Sequence, residues 1–303
     1  MRFLMNKRIL SIQSHVVSGY VGNKSATFPL QLLGFEVDPI NSVQFSNHTG
    51  YRNGWNGDML NSKSLNNLFD GLISNNLIEY SHLLTGYIGD ADFLKSIINI
   101  HKYLKEKNPN LIYLCDPVLG DNNKLYVPEG LIPIYKNEIL PLANILTPNQ
   151  YEAEVLSEMK INNENDVIII LKMLHQKGIK TIVLSSCQFD NSENLYCYAS
   201  LYEKNQYTTV KVEFPKINAK FVGTGDLFCA LFLAWYDTYK NDLKQVCDKV
   251  LSTMQLILKR TIDYAGKYSD SDQDSAKYLE LKLIESKRDI ENPLNIINSY
   301  YIS

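Results

Sequence analysis

The residues best suited to chemistry lie in the sequence Gly223-Thr224-Gly225-Asp226, which runs directly into an apolar stretch predicted to be helical. Glycine has no Cβ, so Gly223 and Gly225 permit backbone angles and close approaches that other residues block. The first N–H groups of a helix lack partners within it, and with the helix dipole they attract an anion. Beside such a site, Asp226 has two interpretations: a helix N-cap, or a general base that accepts a proton from an attacking hydroxyl.

Two further carboxylates follow a predicted buried strand, residues 111–115. Asp116 comes directly after this strand, and Asp121 lies a short loop further on. Mg²⁺ is held in proteins by few carboxylates together with phosphates, so the pair is consistent with a cation site. Turn formation explains the Asp-Pro and Gly-Asp sequences equally well. Glu152, in the first turn of a predicted acidic helix, either favours the helix dipole or reaches a metal-bound phosphate.

A second glycine-containing stretch, residues 18–25, superficially resembles a phosphate-binding loop. That motif requires a glycine, four residues and then Gly-Lys-Ser/Thr. Asn23 separates Gly22 from Lys24, so the spacing is wrong. We therefore predict only a loop and the start of a helix in this stretch.

Composition and charge exclude several classes of function. The 303-residue chain has a net charge of −3, so nucleic acid is not expected as a partner. No apolar run reaches the roughly twenty residues of a membrane span, and the N-terminus lacks the features of a signal peptide. The five cysteines show no metal-ligand spacing and are expected to be buried or incidental thiols in a reducing compartment. These observations predict a cytoplasmic protein with no membrane partner.

Predicted strands alternate with predicted helices through the first 185 residues, which indicates a largely parallel sheet covered by helices on both faces. The strands are predicted over residues 9–12, 35–45 (broken near Asp38-Pro39), 82–86, 111–115 and 181–184, and residues 145–149 are predicted to end a further strand. The helices are predicted over residues 26–33, 64–75, 91–107, 132–140, 150–159 and 167–178.

The pattern changes after residue 185. Residues 196–202 and 207–214 are predicted to form a β-hairpin, and long helices are predicted after Asp226 and over residues 243–264. A polar, mobile connection is expected around 269–275, before a last helix over 276–285 and an irregular tail. No linker or repeat divides the chain, so we predict a single domain over residues 1–303.

Polar residues collect where the predicted strands end or in the loops that follow them. They are Ser14, Thr49, Tyr87, Asp116, Thr147, Ser185 and Asp226. Ligands of parallel sheets bind outside the carboxyl ends of the strands. This clustering favours a catalytic role of Asp226 over a plain helix cap.

Longer stretches resemble the pyridoxal kinases, within the ribokinase-like superfamily, over nearly the whole chain. Segments 11–16, 41–51 and 84–87 resemble the family's substrate pocket, and segments 116–121, 126–129 and 147–154 its nucleotide and cation sites. Residues 221–226 resemble the anion hole and base of the superfamily, and 286–290 its C-terminal signature. The Gly-Thr-Gly-Asp motif marks only the superfamily, whereas the run from Gln44 to Tyr51 is more specific to pyridoxal kinases.

The resemblance implies a ribokinase-like α/β fold, with a hairpin near the nucleotide site. It implies ATP-dependent phosphorylation of the 5′-hydroxymethyl group of pyridoxal, pyridoxine or pyridoxamine, a vitamin B6 salvage reaction. Asp226 would be the base, and the amides of Gly223, Thr224 and Gly225 would hold the charge on the transferring phosphoryl group. Family members are typically homodimers.

The resemblance also implies a role for individual residues. The substrate would contact Ser14, Thr49, Val21, Val43, Phe45, His48, Tyr87 and Asp226. ATP would contact Asp116, Tyr126, Asn149, Glu152, Ser185, Ser186, Phe214, Ile217, Thr224 and Gly225. Mg²⁺ or another divalent ion would lie near Asp116 and Glu152, and K⁺ or Na⁺ near Asp121, Thr147 and Ser185. The loop 122–125 looks shorter than in animal relatives, where a loop in this place helps to cover the site.

Two other functions remain open on the sequence. The same anion hole serves kinases of other small alcohols, such as a hydroxymethylpyrimidine or a sugar, although the run from Phe45 to Tyr51 argues against them. A non-catalytic vitamin B6 binding protein is the other alternative. Such a protein has no need of Asp226, the two glycines or the acidic segments, so their presence argues against it.

Overall fold

The computed structural model describes residues 7–189, 192–240, 242–268 and 275–302. The strands in these residues are β1 (Arg8–Val16), β2 (Glu36–Phe45), β3 (Gly57–Met59), β4 (His82–Thr85), β5 (Ile112–Cys115), β6 (Gly120–Asp121), β7 (Lys124–Leu125), β8 (Ile145–Leu146), β9 (Thr181–Cys187), β10 (Asn194–Glu203), β11 (Gln206–Pro215) and β12 (Ser299–Tyr301).

The helices lie between and after these strands. They are α1 (Asn23–Leu32), α2 (Ser62–Ser74), α3 (Ala91–Lys107), α4 (Leu131–Ile134, continued by a π turn over Tyr135–Ile139 and a 3-10 turn over Leu140–Leu142), α5 (Gln150–Ser157), α6 (Glu164–His175), α7 (Thr224–Tyr239), α8 (Leu243–Ala265), α9 (Ser275–Tyr278) and α10 (Lys287–Glu291). No helix in the described ranges has both the length and the apolar character that crossing a membrane requires.

The central sheet has the strand order β12-β11-β10-β9-β8-β5-β4-β1-β2-β3 in the described residues. Strands β2, β1, β4, β5, β8 and β9 pair in parallel, and the strands added at both edges are antiparallel. One face packs against α2 to α6, and the other against α1, α7, α8 and α10. The predicted parallel sheet with helices on both faces is confirmed.

The predicted break in the second strand is wrong, because β2 runs through Pro39 without interruption. Pro39 pairs with Ser11 of β1 on one side. On its other side β2 pairs with β3 only over Val43 to Phe45, so the edge at Pro39 is open. Proline is tolerated where a strand has no neighbour that needs its N–H.

The prediction for the C-terminal segment is also wrong. Helix α9 ends at Tyr278 instead of reaching residue 285, and the tail forms α10 and the edge strand β12. Strand β12 is held by a tertiary contact, since the N–H and hydroxyl of Ser299 both donate to Asp248 Oδ1 at 2.6 Å. Of the mobile connection predicted over 269–275, residues 269–274 lie outside the described residues, and Ser275 begins α9.

Two tight hairpins have the same turn chemistry. The predicted hairpin of β10 and β11 is confirmed, and its turn residues Lys204 and Asn205 have positive φ angles of 52° and 62°. The loop after Asp121 is a hairpin of β6 and β7, whose turn residues Asn122 and Asn123 have φ angles of 50° and 58°. Such mirror-image turns match the twist of two-stranded ribbons, and asparagine tolerates them.

Candidate active site

Helix α7 begins at Thr224, and Gly223 is its N-cap residue with a φ angle of 80°. Asp226 is the third helical residue, and among the described residues no side chain caps this helix. The N-cap interpretation of Asp226 is therefore wrong. The N–H groups of the first turn remain directed away from the helix, as an anion site requires.

Gly223 is required for two physical reasons. Its positive φ angle disfavours other residues, and a Cβ on it would lie only 1.9 Å from the carbonyl oxygen of Tyr20. The Ser25 hydroxyl donates to the Gly223 carbonyl oxygen at 3.2 Å. The stretch 18–25, which lacks the spacing of a phosphate-binding loop, thus packs directly against the anion loop, residues 221–226.

Asp226 is half-buried at the start of α7. Burial raises the pKa of its carboxyl group above that of free aspartate, whereas hydrogen bonds from the Gly22 N–H and its own N–H lower it. A carboxylate with a raised pKa is a better proton acceptor for an alcohol than a fully solvated one. This position and environment suit a general base.

Asp116 is buried immediately after β5 and faces the same helix start. A Cβ on Gly225 would lie 3.8 Å from Asp116 Oδ2. Burial raises the pKa of Asp116 well above its usual range, and the nearby charges of Glu152 and Asp226 raise it further. The two neighbouring carboxylates thus disfavour the ionised form of Asp116, and a cation beside it would relieve this repulsion. In the described ranges, His, Cys, Asp and Glu residues form no group of three that could hold a metal ion.

Both carboxylate oxygens of Glu152 accept hydrogen bonds from backbone N–H groups. Its Oε1 accepts from the N–H groups of Leu119 at 2.9 Å and Gly120 at 3.4 Å, and its Oε2 accepts from the N–H of Asn149 at 2.9 Å. With Asn149 it also forms a capping box at the start of α5. Burial raises the pKa of Glu152, and these N–H groups lower it. The carboxylate therefore fastens the loop after Asp116 to α5.

The residues predicted around a monovalent cation are only partly brought together. The Thr147 hydroxyl donates to the Cys115 carbonyl oxygen at 3.4 Å, and the Ser185 hydroxyl donates to the carbonyl oxygen of the adjacent Pro148 at 3.4 Å. Asp121 is exposed, and its carboxylate accepts from the backbone and side chain of Asn122. Within the described residues, no contact joins Asp121 to the two hydroxyls.

An apolar cluster lies next to the anion loop. We call it the ring cluster, and it consists of the buried Val16, Val21, Val43 and Phe45 with the partly buried Tyr87 and Val222. Four of its members were predicted to wall the substrate ring, and Val222 directly precedes Gly223. Apolar side chains beside a helix N-terminus are suited to contact a small ring that carries a reactive hydroxyl.

The other predicted substrate residues surround this cluster. Ser14 is half-buried near the end of β1, and its carbonyl oxygen would lie 1.9 Å from a Cβ on Gly22. His48 is buried and accepts from the Gly50 N–H at Nδ1, whereas Thr49 between them is exposed. A Cβ on Gly50 would lie 3.8 Å from Val222, so this loop also touches the anion loop.

The residues predicted to contact ATP occupy different environments. Asn149 donates to the Gly120 carbonyl oxygen at 2.8 Å, and Tyr126 is 52% exposed. Ser185 and Ser186 lie within β9, which extends beyond its predicted end. Ile217 lines a cavity of about 380 Å³ that is otherwise formed by Gln255, Leu256, Lys259, Ile262 and Ile296. Phe214 is buried in the core on the α7–α8 face, and it does not line this cavity.

Sequence reasoning missed several residues of this region. The Ser42 hydroxyl donates to the Tyr87 carbonyl oxygen at 2.7 Å, and Cys229 hydrogen-bonds both Asp116 and Thr147. The carboxylate of Glu280 bonds to Tyr20 and Tyr51, more than 200 residues away. Cys229 follows Asp226 by one helical turn, a spacing that predicts a shared face. No local pattern marks Glu280.

The chain resembles characterised kinases in sequence and in structure. The family model described as phosphomethylpyrimidine kinase matches residues 60–250. Pyridoxal kinase of Homo sapiens is 46% identical over 96% of this chain and 97% of its own length. Pyridoxal kinase of Arabidopsis thaliana is 47% identical over 94% of this chain and 92% of its own length. The solved pyridoxal kinase from Leishmania donovani in complex with ADP and pyridoxamine superposes with a TM-score of 0.90 at 30% identity, covering 98% of this chain and all of that one.

Proposed function

The chain belongs to the pyridoxal kinase family, and from this premise we propose that it transfers a phosphoryl group from ATP to the 5′-hydroxymethyl group of vitamin B6 compounds. The observation that carries this proposal is the ring cluster ending in Val222, directly beside the N-terminus of α7. A pyridine ring held by the cluster presents its hydroxymethyl group to Asp226 and to the first amides of the helix.

Asp226 acts as the base in the proposed reaction. The partial burial that raises its pKa favours proton transfer from the alcohol as the oxygen attacks the phosphoryl group. The amides of Gly223, Thr224 and Gly225 stabilise the charge that spreads over the transferring group. One such donor is typically worth a factor of about 10² to 10³ in turnover.

The ions belong to the nucleotide side of the site. Asp116, backed by Glu152, would hold a divalent cation such as Mg²⁺, which neutralises phosphate charge when it is bound. Burial, together with neighbouring carboxylates, raises the pKa of both groups, and a bound cation would stabilise their ionised forms. K⁺ or Na⁺ would be held near Thr147 and Ser185. Asp121 would take part only if its carboxylate turned away from Asn122.

ATP would occupy the rest of the nucleotide side of the site. Its phosphates would lie over Thr224 and Gly225 and near Asn149, Ser185 and Ser186. Its base would lie beside Ile217 at the cavity that this residue lines, with Tyr126 exposed above the loop after Asp116. Phe214, which is buried in the core on the α7–α8 face, would support this wall of the nucleotide site.

The whole chain would act as one kinase domain and as a homodimer in the cytoplasm. The net charge of −3 agrees with small-molecule partners and gives no reason to expect nucleic acid.

A substrate panel tests the function. ADP release is measured with pyridoxal, pyridoxine, pyridoxamine, a hydroxymethylpyrimidine and ribose, each with and without added K⁺. We expect turnover with the B6 compounds and a kcat/KM at least about tenfold lower for the pyrimidine, which lacks part of the ring contact. A higher kcat/KM for the hydroxymethylpyrimidine would favour the second candidate, which the matching family model suggests. No ADP release with any alcohol would favour a non-catalytic binding protein.

A further inference from the structure

The carboxylate of Glu280 joins the two loops beside the anion site. Its Oε2 accepts from the Tyr20 N–H at 2.9 Å, and its Oε1 accepts from the Tyr51 hydroxyl at 3.0 Å. His48 Nε2 lies 3.4 Å from the same Oε1. Because His48 Nδ1 accepts from the Gly50 N–H, the proton of the neutral ring lies on Nε2 and faces Glu280.

The first of these loops is built around the carboxylate. A Cβ on Gly19 would lie 2.1 Å from Glu280 Oε1, so the backbone approaches the carboxylate as closely as glycine permits. The same loop continues through Tyr20, whose carbonyl oxygen packs on Gly223, to Gly22, whose N–H bonds to Asp226. The position of Tyr20 therefore affects both the anion loop and the proposed base.

The second loop reaches the same place from the other side. Residues 48–51 follow β2, and Gly50 packs near Val222, at the start of the anion loop. The rings of His48 and Tyr51 lie 4.7 Å apart, and both contact Glu280. One carboxylate thus sets the spacing of two loops that flank the ring cluster.

The segment that carries Glu280 is itself fixed. Leu281 and Leu283 are fully buried in the core, and the Lys282 N–H donates to the Thr261 hydroxyl at 3.2 Å. The Glu280 side chain is 11% exposed. A buried carboxylate on a fixed segment, bonded to two loops, is an anchor for those loops.

We propose that Glu280 is a positioning residue for the alcohol substrate, which holds loops 17–22 and 46–54 around the ring cluster. This inference rests on the proposed function and assigns to the C-terminal segment a part in substrate binding. Loss of the anchor loosens the substrate side of the site and leaves the nucleotide side intact.

Steady-state kinetics of Glu280→Ala and Glu280→Gln test the proposal. Loss of hydrogen bonds to a charged group predicts a KM for pyridoxal raised about tenfold in Glu280→Ala, with the KM for ATP within about twofold of wild type. Glutamine keeps one acceptor oxygen, so its effect is expected to be about threefold. If Glu280→Ala does not fold, the KM values of Glu280→Gln alone test the proposal.

Glu285→Gln is the matched control. Glu285 carries the same charge on the same segment close to Tyr20, but it is exposed and makes no side-chain hydrogen bond within the described residues. We expect wild-type kinetics for this variant. If Glu285→Gln raised the pyridoxal KM as much as Glu280→Gln, the effect would come from the loss of charge. That result would overturn the proposal that Glu280 anchors the loops.

A double-mutant cycle with Tyr51→Phe tests the contact itself. If the Tyr51–Glu280 bond carries the effect, Tyr51→Phe raises the pyridoxal KM in wild type but adds less in the Glu280→Gln background. Strictly additive effects would contradict the proposal. Equal rises in both KM values, with a lower melting temperature, would identify Glu280 as a purely structural residue.

Loop order is measured independently of turnover. Trp55 follows the second loop and is 46% exposed, whereas the other tryptophan, Trp235, is buried. Acrylamide quenching of Trp55 should increase in Glu280→Ala and not in Glu285→Gln. Unchanged quenching would overturn the inference. Absence of turnover in the wild-type protein would instead overturn the proposed function, and the quenching result would still decide the role of Glu280.

Discussion

The side chains on the two sides of the α7 N-terminus differ in polarity. The side that we propose binds the alcohol is the apolar ring cluster, which is flanked by the two loops that Glu280 joins. The side that we propose binds the nucleotide carries the buried carboxylates of Asp116 and Glu152, whose pKa values are raised by burial. This difference supports our proposal that shape and apolar contact would select the alcohol, whereas charge would organise the nucleotide and its ions. Substitutions on the two sides should therefore change different kinetic constants.

The largest effect is expected where the two sides meet, at Gly223. Gly223→Ala combines an unfavourable positive φ angle with a Cβ only 1.9 Å from the Tyr20 carbonyl oxygen. The anion loop must shift, and kcat should fall by about 10³ or more. Gly34→Ala is the control, because Gly34 has a φ angle of 87° but open space around it. It should lose about 1 kcal/mol of stability and keep its kcat. Equal losses of kcat would show that backbone strain alone is responsible.

Asp116→Asn should affect the nucleotide side. We expect kcat/KM for ATP to fall about 100-fold, with a shifted Mg²⁺ dependence, and the KM for pyridoxal to stay within about threefold. Asp242→Asn is the control, since Asp242 caps α8 and asparagine caps equally well. A raised KM for pyridoxal with an unchanged kcat/KM for ATP would contradict the assignment of Asp116 to the nucleotide side.

Val43→Ala should affect the alcohol side. Removing two methyl groups from the ring cluster should raise the KM for pyridoxal about fivefold to tenfold and leave the KM for ATP unchanged. Val37→Ala is the matched control in the same strand, because Val37 is buried in the core away from the cluster. A similar change of the pyridoxal KM in both variants would exclude a specific role of the ring cluster.

The pH dependence of stability tests the raised pKa of the Asp116 carboxyl group. A carboxyl group whose pKa is raised in the folded protein binds its proton more tightly there than in the unfolded chain. Its contribution to stability is therefore lost as pH rises from the unfolded pKa, about 4, through the raised value. In the absence of divalent ions, the stability of Asp116→Asn relative to wild type should be higher at pH 8 than at pH 5 in urea unfolding. A constant difference would contradict the raised pKa.

The smallest effect is expected for Cys229→Ala. Burial raises the pKa of this thiol, so it stays protonated and donates to the Asp116 carboxylate. Loss of the donor should lower kcat about threefold and increase the Mg²⁺ concentration needed for half-maximal activity. Cys247→Ala, a buried cysteine in α8, should leave both quantities unchanged. An unchanged Mg²⁺ dependence in Cys229→Ala would remove this role.

The sequence predicted those parts of the molecule that local patterns determine. Helix α3 has its predicted bounds, with Asp90 as the N-cap that accepts from the Phe93 N–H. Strand-end residues such as Asp116 were found because parallel strands end at one edge. The start of helix α7 was predicted because a long apolar run follows the glycines there, and the clustering at strand ends, together with the family resemblance, favoured a catalytic role of Asp226.

The remaining parts depend on contacts between distant residues. Strand β12 forms because Ser299 meets Asp248 and because the edge of β11 is open, and neither fact is visible in the tail itself. Pro39 is tolerated only because β3 is short. In the sequence, nothing distinguishes Glu280 from other polar residues of the predicted last helix. Its contacts with Tyr20 and Tyr51 exist only in the folded protein. Sequence patterns could not predict such partners.

The central claim is that Asp226 is the base between these two sides, and Asp226→Asn tests it most directly. The amide has the same shape but cannot accept the proton, so single-turnover phosphorylation of pyridoxal should fall by about 10³ or more. Binding of ATP, measured by calorimetry on the same preparation, should stay within about threefold of wild type. A variant that binds ATP and phosphorylates pyridoxal within tenfold of the wild-type rate would contradict the account.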